Sequence, residues 1–201
     1  MIKRLEIYHP KIDLKETIQF ISDYRFERIK TKYITDGWSG LSLRGYGKSI
    51  HDLLKPNVLG SNVPTTLTDT ILMNGCGFKP IVKVLNQIPS TFERVRFMKL
   101  MPKTTIPKHT DKIDKDFVNG KIARFHIPLK NNPNVEYYYW DKGVKKTETL
   151  KTANYYYFDV RFPHSVRNNG DEDRINLVVD VFVNKDIENL IGKGESGCQI
   201  I

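Results

Sequence analysis

Polar and apolar residues alternate along much of the second half of the chain. The alternation is clear over 94–100, where it is typical of a strand with one buried face. Many short strands at close spacing predict a sandwich, a jelly roll or a barrel. Six further segments have the same strand-like character, and turn residues separate most of them: 121–129, 135–140, 144–150, 154–159, 164–168 and 175–183.

The first ninety residues follow a different pattern. A capping box at 13–16, followed by apolar residues at helical spacing, predicts an amphipathic helix over 14–30. Frequent glycine and proline predict a loop over 37–65, with one strand near 41–43. A second, short helix is predicted at 80–85.

Together these patterns predict a mainly β protein with a helical cap. The length of 201 residues suits one domain, or one domain with a small appendage. With 39% hydrophobic and 27% charged residues, the chain is typical of a globular protein and not of a disordered one. We expect an N-terminal helical and loop region at 1–90, a β core at 91–185 and a C-terminal tail at 186–201.

The chain is basic, with 32 Lys and Arg against 23 Asp and Glu and a formal charge of +9. Such a balance suits nucleic acid, an anionic membrane surface or acidic small molecules. The basic residues are scattered, however, and the only adjacent pairs are Lys3-Arg4 and Lys145-Lys146. The absence of a basic run argues against nucleic acid as the partner.

Neither a leader nor a metal-binding cysteine motif is indicated. The N-terminus opens basic but has no apolar segment after it, and no stretch has the length of a membrane span, so we expect a cytoplasmic protein. The two cysteines, Cys76 and Cys198, form no C-x-x-C motif. A single disulfide between them and a pair of reduced thiols both fit, and a cytosolic location favours the thiols.

Three residues have the types and spacing of a metal site. In an extended segment residues i and i+2 point to the same side, so the side chains of His109 and Asp111 can converge. His164 follows later in the chain. Two histidines and one carboxylate form the facial triad of non-haem Fe(II) oxygenases, which leaves the opposite face open. Taken alone, these residues fit polar positions at a strand edge equally well.

A following arginine makes the metal interpretation stronger. Arg174 stands ten residues after His164, and alternation places it on one strand face with Asn176, Val178 and Asp180. In a jelly roll with iron at its mouth, an arginine deep in the barrel can pair with the distal carboxylate of 2-oxoglutarate in bidentate fashion. Arg174 alone fits a structural salt bridge better, but the combined pattern favours the oxygenase.

The segment 93–183 resembles the 2-oxoglutarate/Fe(II) oxygenase superfamily, whose fold is the double-stranded β-helix, a cupin-like jelly roll. Within it, the chain is most similar to the aspartyl/asparaginyl β-hydroxylase family. The resemblance lies in Arg-Phe-His-Ile-Pro-Leu at 124–129, in 158–164 and in 174–183. It implies a dioxygenase that uses Fe(II), 2-oxoglutarate and O₂ to hydroxylate an aliphatic carbon of an amino acid, free or within a peptide.

The resemblance also implies roles for particular residues. His109, Asp111 and His164 would bind iron, and Arg174 would bind 2-oxoglutarate. Arg124 and His126, which form the R-x-H strand of the family, would help to hold the co-substrate. Some members lack the carboxylate ligand that this chain keeps. Halogenases of the superfamily replace it, so hydroxylation or desaturation is expected here.

Substrate contacts and rival functions stay open at this point. Trp38 and Trp140 are candidate pocket walls, and Arg44 and Arg161 are candidate carboxylate anchors, although all four also suit core or surface positions. An AlkB-like nucleic-acid demethylase shares the chemistry, but Asp180 stands where that family has its second arginine. A non-catalytic cupin-like binding protein is the other alternative, against which the intact triad argues. The pattern indicates neither the substrate nor the oligomeric state.

Overall fold

The computed structural model describes residues 1–7, 14–29, 36–53, 55, 65–69, 79–195 and 199–200. The described strands are β1 (Ile2–Leu5), β2 (Glu27–Arg28), β3 (Trp38–Gly45), β4 (Thr68–Asp69), β5 (Phe92–Leu100), β6 (Thr104–His109), β7 (Ile122–Lys130), β8 (Val135–Asp141), β9 (Val144–Glu148), β10 (Tyr155–Phe158), β11 (His164–Asn168), β12 (Arg174–Phe182) and β13 (Gln199–Ile200). The described helices are α1 (Leu14–Ser22), α2 (Lys79–Leu85), α3 (Lys115–Val118) and α4 (Lys185–Lys193).

The strands form two antiparallel sheets. The larger has the order β1-β10-β7-β12-β5-β3-β2, with β4 paired to β3, and the smaller has the order β13-β9-β8-β11-β6. From β5 to β12 the chain passes repeatedly from one sheet to the other, as in a jelly roll. The prediction of a mainly β, double-stranded β-helix core with N-terminal helices is therefore confirmed.

Two hydrophobic cores lie on opposite faces of the larger sheet. On the outer face, Phe97 and Leu177 belong to a core that includes Ile21 of α1 and Ile81 of α2. The second core lies between the sheets and combines residues of both, such as Leu100 of β5, Val135 and Tyr137 of β8, and Tyr156 of β10. The expected alternation along β12 is confirmed, because Ile175, Leu177, Val179 and Val181 all belong to the outer core.

The N-terminal region contributes strands as well as helices. Strand β1 pairs with β10, and β3 pairs with β5 over most of its length. The predicted helix over 14–30 is too long, because α1 ends at Ser22 and Glu27–Arg28 pair with β3 instead. The expected loop over 37–65 contains the whole of β3, since that segment extends the large sheet.

The expected C-terminal tail contains regular structure. Helix α4 begins after Asn184, whose side chain accepts a hydrogen bond of 2.9 Å from the Ile187 N–H. Lys3 donates to the carbonyl of Ile191, which ties the helix to β1. Strand β13 pairs with β9. The division of the chain at residues 90 and 185 stays a prediction, and Cys76 and Cys198 lie outside the described residues.

Within the described part of the chain, no helix is long and apolar enough to cross a membrane.

Candidate metal centre

Strand pairing brings the two candidate histidines together. His109 ends β6 and His164 begins β11, and the two residues are direct partners in the antiparallel ladder. Their ring centroids are 4.2 Å apart. The register shifts just beyond this pair, so that two residues of β6 oppose the single Ser165, as in a β-bulge. The Ser165 hydroxyl donates to the carbonyl of Ile106, which holds the bulge.

Asp111 lies just beyond β6 and completes the group. Its N–H donates to the Val160 carbonyl at 2.9 Å, which fixes the backbone. One carboxylate oxygen accepts a hydrogen bond of 2.5 Å from Arg124, while the other lies 3.9 Å from Nε2 of His109. One candidate ligand atom from each of His109, Asp111 and His164 lies within 4.8 Å of the other two. This arrangement suits a single metal ion.

Hydrogen bonds to the backbone prepare both imidazoles for a metal. Nδ1 of His109 is 2.7 Å from the Pro107 carbonyl, and Nδ1 of His164 is 2.9 Å from the Phe162 carbonyl. A carbonyl only accepts, so in the neutral form of each imidazole Nδ1 carries the proton and Nε2 keeps a free lone pair. Imidazoles bound to metals are oriented in this way.

The charges around the site favour the metal-binding forms of its ligands. Burial, followed by the charge of His109, lowers the pKa of His164 to about 4, so this imidazole is neutral at pH 7. Burial opposes ionisation of Asp111, but the charge of Arg124 outweighs it and holds the pKa of this carboxyl below its usual value. A neutral imidazole and an ionised carboxylate are the forms that coordinate a metal.

A cavity of about 890 Å³ opens beside these residues. Three candidate site residues from the sequence do not line it: Arg44, Trp140 and Arg161. The ring centroid of Trp140 instead lies 4.2 Å from Nζ of Lys108. Those that line the cavity are Trp38, His109, Asp111, Arg124, His126, His164 and Arg174.

Arg174 is a buried cation that reaches this cavity. Only 2% of the residue is exposed, and its Nε donates to the hydroxyl of Tyr137 at 2.8 Å. Among the residues that the structure describes, Arg174 has no acidic partner, so the salt-bridge interpretation gains no support. Burial of a charge is costly unless an anion pairs with it. The arrangement therefore suits a bound carboxylate.

His126 lies near Arg174 and, like His164, is an uncharged imidazole. The side-chain amide of Asn176 donates to Nδ1 of His126 at 3.0 Å, which leaves the proton on Nε2. The orientation of this amide follows from the Tyr137 hydroxyl, which donates to its oxygen at 3.4 Å. Burial and then Arg174 hold the pKa of His126 well below its usual value. His126 thus offers a neutral N–H donor.

Arg124 has contacts that the sequence did not predict. Its Nη1 donates to Asp111, and its Nε and Nη2 donate to Asp180 at 2.7 and 3.1 Å. Its guanidinium also lies 4.7 Å from the ring centroid of Phe117. These contacts direct Arg124 to Asp111, a candidate metal ligand, and the co-substrate contact that the resemblance implied stays a prediction.

Two candidate substrate anchors have their own acidic partners away from the cavity. Arg44 pairs with Asp69 and donates to the carbonyl of Phe92. Arg161 donates two hydrogen bonds of 2.7 Å to the carboxylate of Asp159. The structure therefore does not bring either arginine to the candidate metal centre.

Two buried arginines that the sequence analysis missed also line the cavity. Arg94 and Arg96 lie on β5 and each places Nη2 at 2.8 Å from Asp180. Both are largely buried, and the Nε of each has no hydrogen-bond partner. The i, i+2 spacing of two arginines in a predicted strand was the available signal, because it places both on one face.

The fold and the site define a class of protein, a jelly roll with a candidate two-histidine, one-carboxylate metal centre at a cavity. The family model described as aspartyl/asparaginyl beta-hydroxylase matches residues 13–183. The chain belongs to this family, and so to the 2-oxoglutarate/Fe(II) oxygenase superfamily. The resemblance identified in the sequence is thereby confirmed. No curated protein matches the chain.

The solved structures to which this chain is similar are distant from it in sequence. An oxidoreductase of the 2OG-Fe(II) oxygenase family from Burkholderia pseudomallei is 10% identical, with a TM-score of 0.51, over 85% of this chain and 77% of that one. A prolyl-4-hydroxylase from Pseudomonas putida is 12% identical, with a TM-score of 0.48, over 90% and 94%. The epimerase SnoN from nogalamycin biosynthesis is 13% identical, with a TM-score of 0.49, over 93% and 80%. The first of these similarities supports the fold.

Proposed function

We propose that the protein is an Fe(II)- and 2-oxoglutarate-dependent dioxygenase that hydroxylates an aliphatic carbon of an amino acid, free or within a peptide. The observation that carries the proposal is the presence, in one cavity, of the three candidate metal ligands and of Arg174, a buried cation without an acidic partner among the described residues. When bound, iron and 2-oxoglutarate supply the oxidising chemistry with O₂.

The side chains divide the remaining work among them. His109, Asp111 and His164, which line the cavity, would hold the metal. Arg174 pairs with the distal carboxylate of 2-oxoglutarate, and Tyr137 orients the guanidinium through its hydroxyl. The N–H of His126 supplies a further donor near this end of the cavity.

The same cavity favours a substrate that carries a carboxylate. Arg94 and Arg96 line it, and the carboxylate of Asp180 lies between their guanidinium groups and that of Arg124. Arg94 also lies 3.8 Å from Glu93 and 4.0 Å from Asp114. Arg94 and Arg96 each have N–H donors beyond the one that faces Asp180, and a planar guanidinium binds carboxylates well. This supports an amino-acid substrate whose acidic group lies at Arg94 and Arg96, in place of Arg44 and Arg161.

Succinate release tests the proposed function. The protein, supplied with Fe(II), 2-oxoglutarate and air, is assayed against free amino acids, Asp- and Asn-containing peptides and methylated single-stranded DNA. We expect an amino acid or peptide to stimulate succinate release, and His109→Ala to abolish it. The control is Lys99→Gln, which changes a part-exposed cation of β5 that does not line the cavity.

Two other outcomes would replace the proposal. Stimulation by methylated DNA alone would identify a demethylase, an assignment against which the acidic Asp180 argues. Failure of the protein to bind Fe(II) and 2-oxoglutarate, measured without O₂, would leave a non-catalytic cupin-like protein.

A further inference from the structure

Asp180 lies at the centre of a group of arginines beside the candidate metal centre. Its residue has 0% exposure. In the large sheet it pairs with Arg124 of β7 on one side and with Arg94 of β5 on the other. Its carboxylate accepts from Arg124 at 2.7 and 3.1 Å and from Arg96 at 2.8 Å, and Nη2 of Arg94 is also at 2.8 Å.

Arg124 links this buried carboxylate to the metal ligand Asp111. Nε and Nη2 of the planar guanidinium bind Asp180, which leaves Nη1 for Asp111 at 2.5 Å. Because the donors of a guanidinium have a fixed geometry, the orientation that Asp180 imposes also fixes where Nη1 points. The contact with the ring of Phe117 restricts the guanidinium further.

We propose that Asp180 is a positioning residue for Asp111 and acts through Arg124. The inference rests on the proposed metal site. Arg124 engages one carboxylate oxygen of Asp111, so a single oxygen is left for the metal. A carboxylate held in this way would bind a metal through one atom only.

A merely structural role for Asp180 has different consequences. If Asp180 only neutralised buried arginines, its loss would lower the stability of the fold and leave the metal affinity of the folded protein unchanged. If it acts through Arg124, its loss changes metal affinity, and the change disappears once Arg124 has been replaced. A double-mutant cycle on metal affinity separates these cases.

The experiment measures Mn(II) affinity by calorimetry in the whole protein, without co-substrate. Loss of residues that orient metal ligands typically lowers affinity about 10–100-fold. We expect such a loss for Asp180→Asn and for Arg124→Gln, and no further loss in the double variant. The matched control is Asp173→Asn, which removes a part-exposed carboxylate just before β12 and should leave Mn(II) affinity unchanged. The absorption spectrum of bound Co(II) should change in Asp180→Asn and not in the control.

Several outcomes overturn the proposal. The proposal fails if folded Asp180→Asn binds Mn(II) as tightly as the unaltered protein. It also fails if the losses of Mn(II) affinity in the two single variants add up in the double variant. If near-ultraviolet circular dichroism shows that Asp180→Asn does not fold, Arg124→Gln decides, since unchanged affinity there breaks the link to Asp111. Failure of the unaltered protein to bind Mn(II) would instead overturn the proposed metal site, so the two failures are distinguishable.

Discussion

His109 and His164 are direct partners across β6 and β11, with ring centroids 4.2 Å apart. The candidate metal centre is thus built on the pairing of two strands that are distant in sequence. A shift of one residue in this register would turn the two side chains to opposite faces of the sheet. Bound metal should therefore stabilise the pairing of these strands, and with it the fold.

The first prediction concerns metal binding and stability. His109→Ala, Asp111→Ala and His164→Ala should each lower Mn(II) affinity more than about 100-fold, because each removes one of the three candidate ligands. In the unaltered protein, Mn(II) at 100 times its Kd should add about 2.7 kcal/mol of stability, which is a rise in Tm of about 5–11 °C for a domain of this size. Calorimetry and thermal melts measure both effects.

His51→Ala is the control for this prediction. His51 lines the cavity but is exposed and does not belong to the triad, so its loss should leave Mn(II) affinity unchanged. If all three variants bind Mn(II) as tightly as the unaltered protein does, the triad is not the metal site.

The second prediction concerns the co-substrate. Arg174→Ala should weaken 2-oxoglutarate binding by about 2–5 kcal/mol, or at least about 30-fold, because a buried charge-assisted pair is lost. Arg174→Lys should recover only part of the affinity, since an ammonium group cannot match the planar fork. Tyr137→Phe, which removes one hydrogen bond to Arg174, should cost about 1 kcal/mol. Titration of the Mn(II)-loaded protein with 2-oxoglutarate gives these affinities.

Metal affinity provides the control here. Arg174 is not one of the candidate ligands, so Mn(II) binding in Arg174→Ala should equal that of the unaltered protein. Unchanged 2-oxoglutarate affinity in this variant would show that another cation is the anchor.

The third prediction concerns the substrate. Arg94→Gln and Arg96→Gln should each lower kcat/KM about 10-fold or more for a substrate that carries a carboxylate, because each loses a charge-assisted contact. The effect should be small for the matching carboxamide, which has no charge to lose. For each variant, kcat/KM is measured with the carboxylate substrate and with its carboxamide. If the substitution acts only by disturbing Asp180, kcat/KM falls equally for both substrates. Lys99→Gln serves as the control on the same strand.

The sequence singled out the three candidate ligands but not the strand that ends at His109. The pattern of polar and apolar residues predicted no strand over 104–109, a segment that contains Pro107. Proline is tolerated in edge strands and at bulges, and β6 is an edge strand with a register shift next to that residue. Only the finished sheet reveals this exception.

Arg124 illustrates a second limit. The i, i+2 rule correctly placed Arg124 and His126 on one side of a strand, and both line the cavity. It could not indicate that Asp180, 56 residues away, would be the neighbour of Arg124 in the sheet. Strand register is a property of the whole fold, so the ion pair between Arg124 and Asp180 could not be predicted from the local sequence pattern.

The last prediction is a pH dependence of stability that has its origin outside the metal centre. Glu148 ends β9, and its Oε2 is buried without a hydrogen-bond partner. Burial raises the pKa of this carboxyl from 4.5 to about 7. The folded state therefore binds the proton more tightly than the unfolded state, and stability falls as the pH rises between about 4.5 and 7.

Glu148→Gln should remove this penalty, because an amide does not ionise. Above pH 7 the variant should be more stable than the unaltered protein, and near pH 4 the two should agree. Because water partly screens the half-buried carboxyl, the gain should be about 1 kcal/mol, which is a rise in Tm of about 2–4 °C. Thermal melts at pH 4, 6 and 8 measure it, with the exposed Glu6→Gln as control. A gain of equal size at all three pH values would show that packing, and not ionisation, makes Glu148 unfavourable.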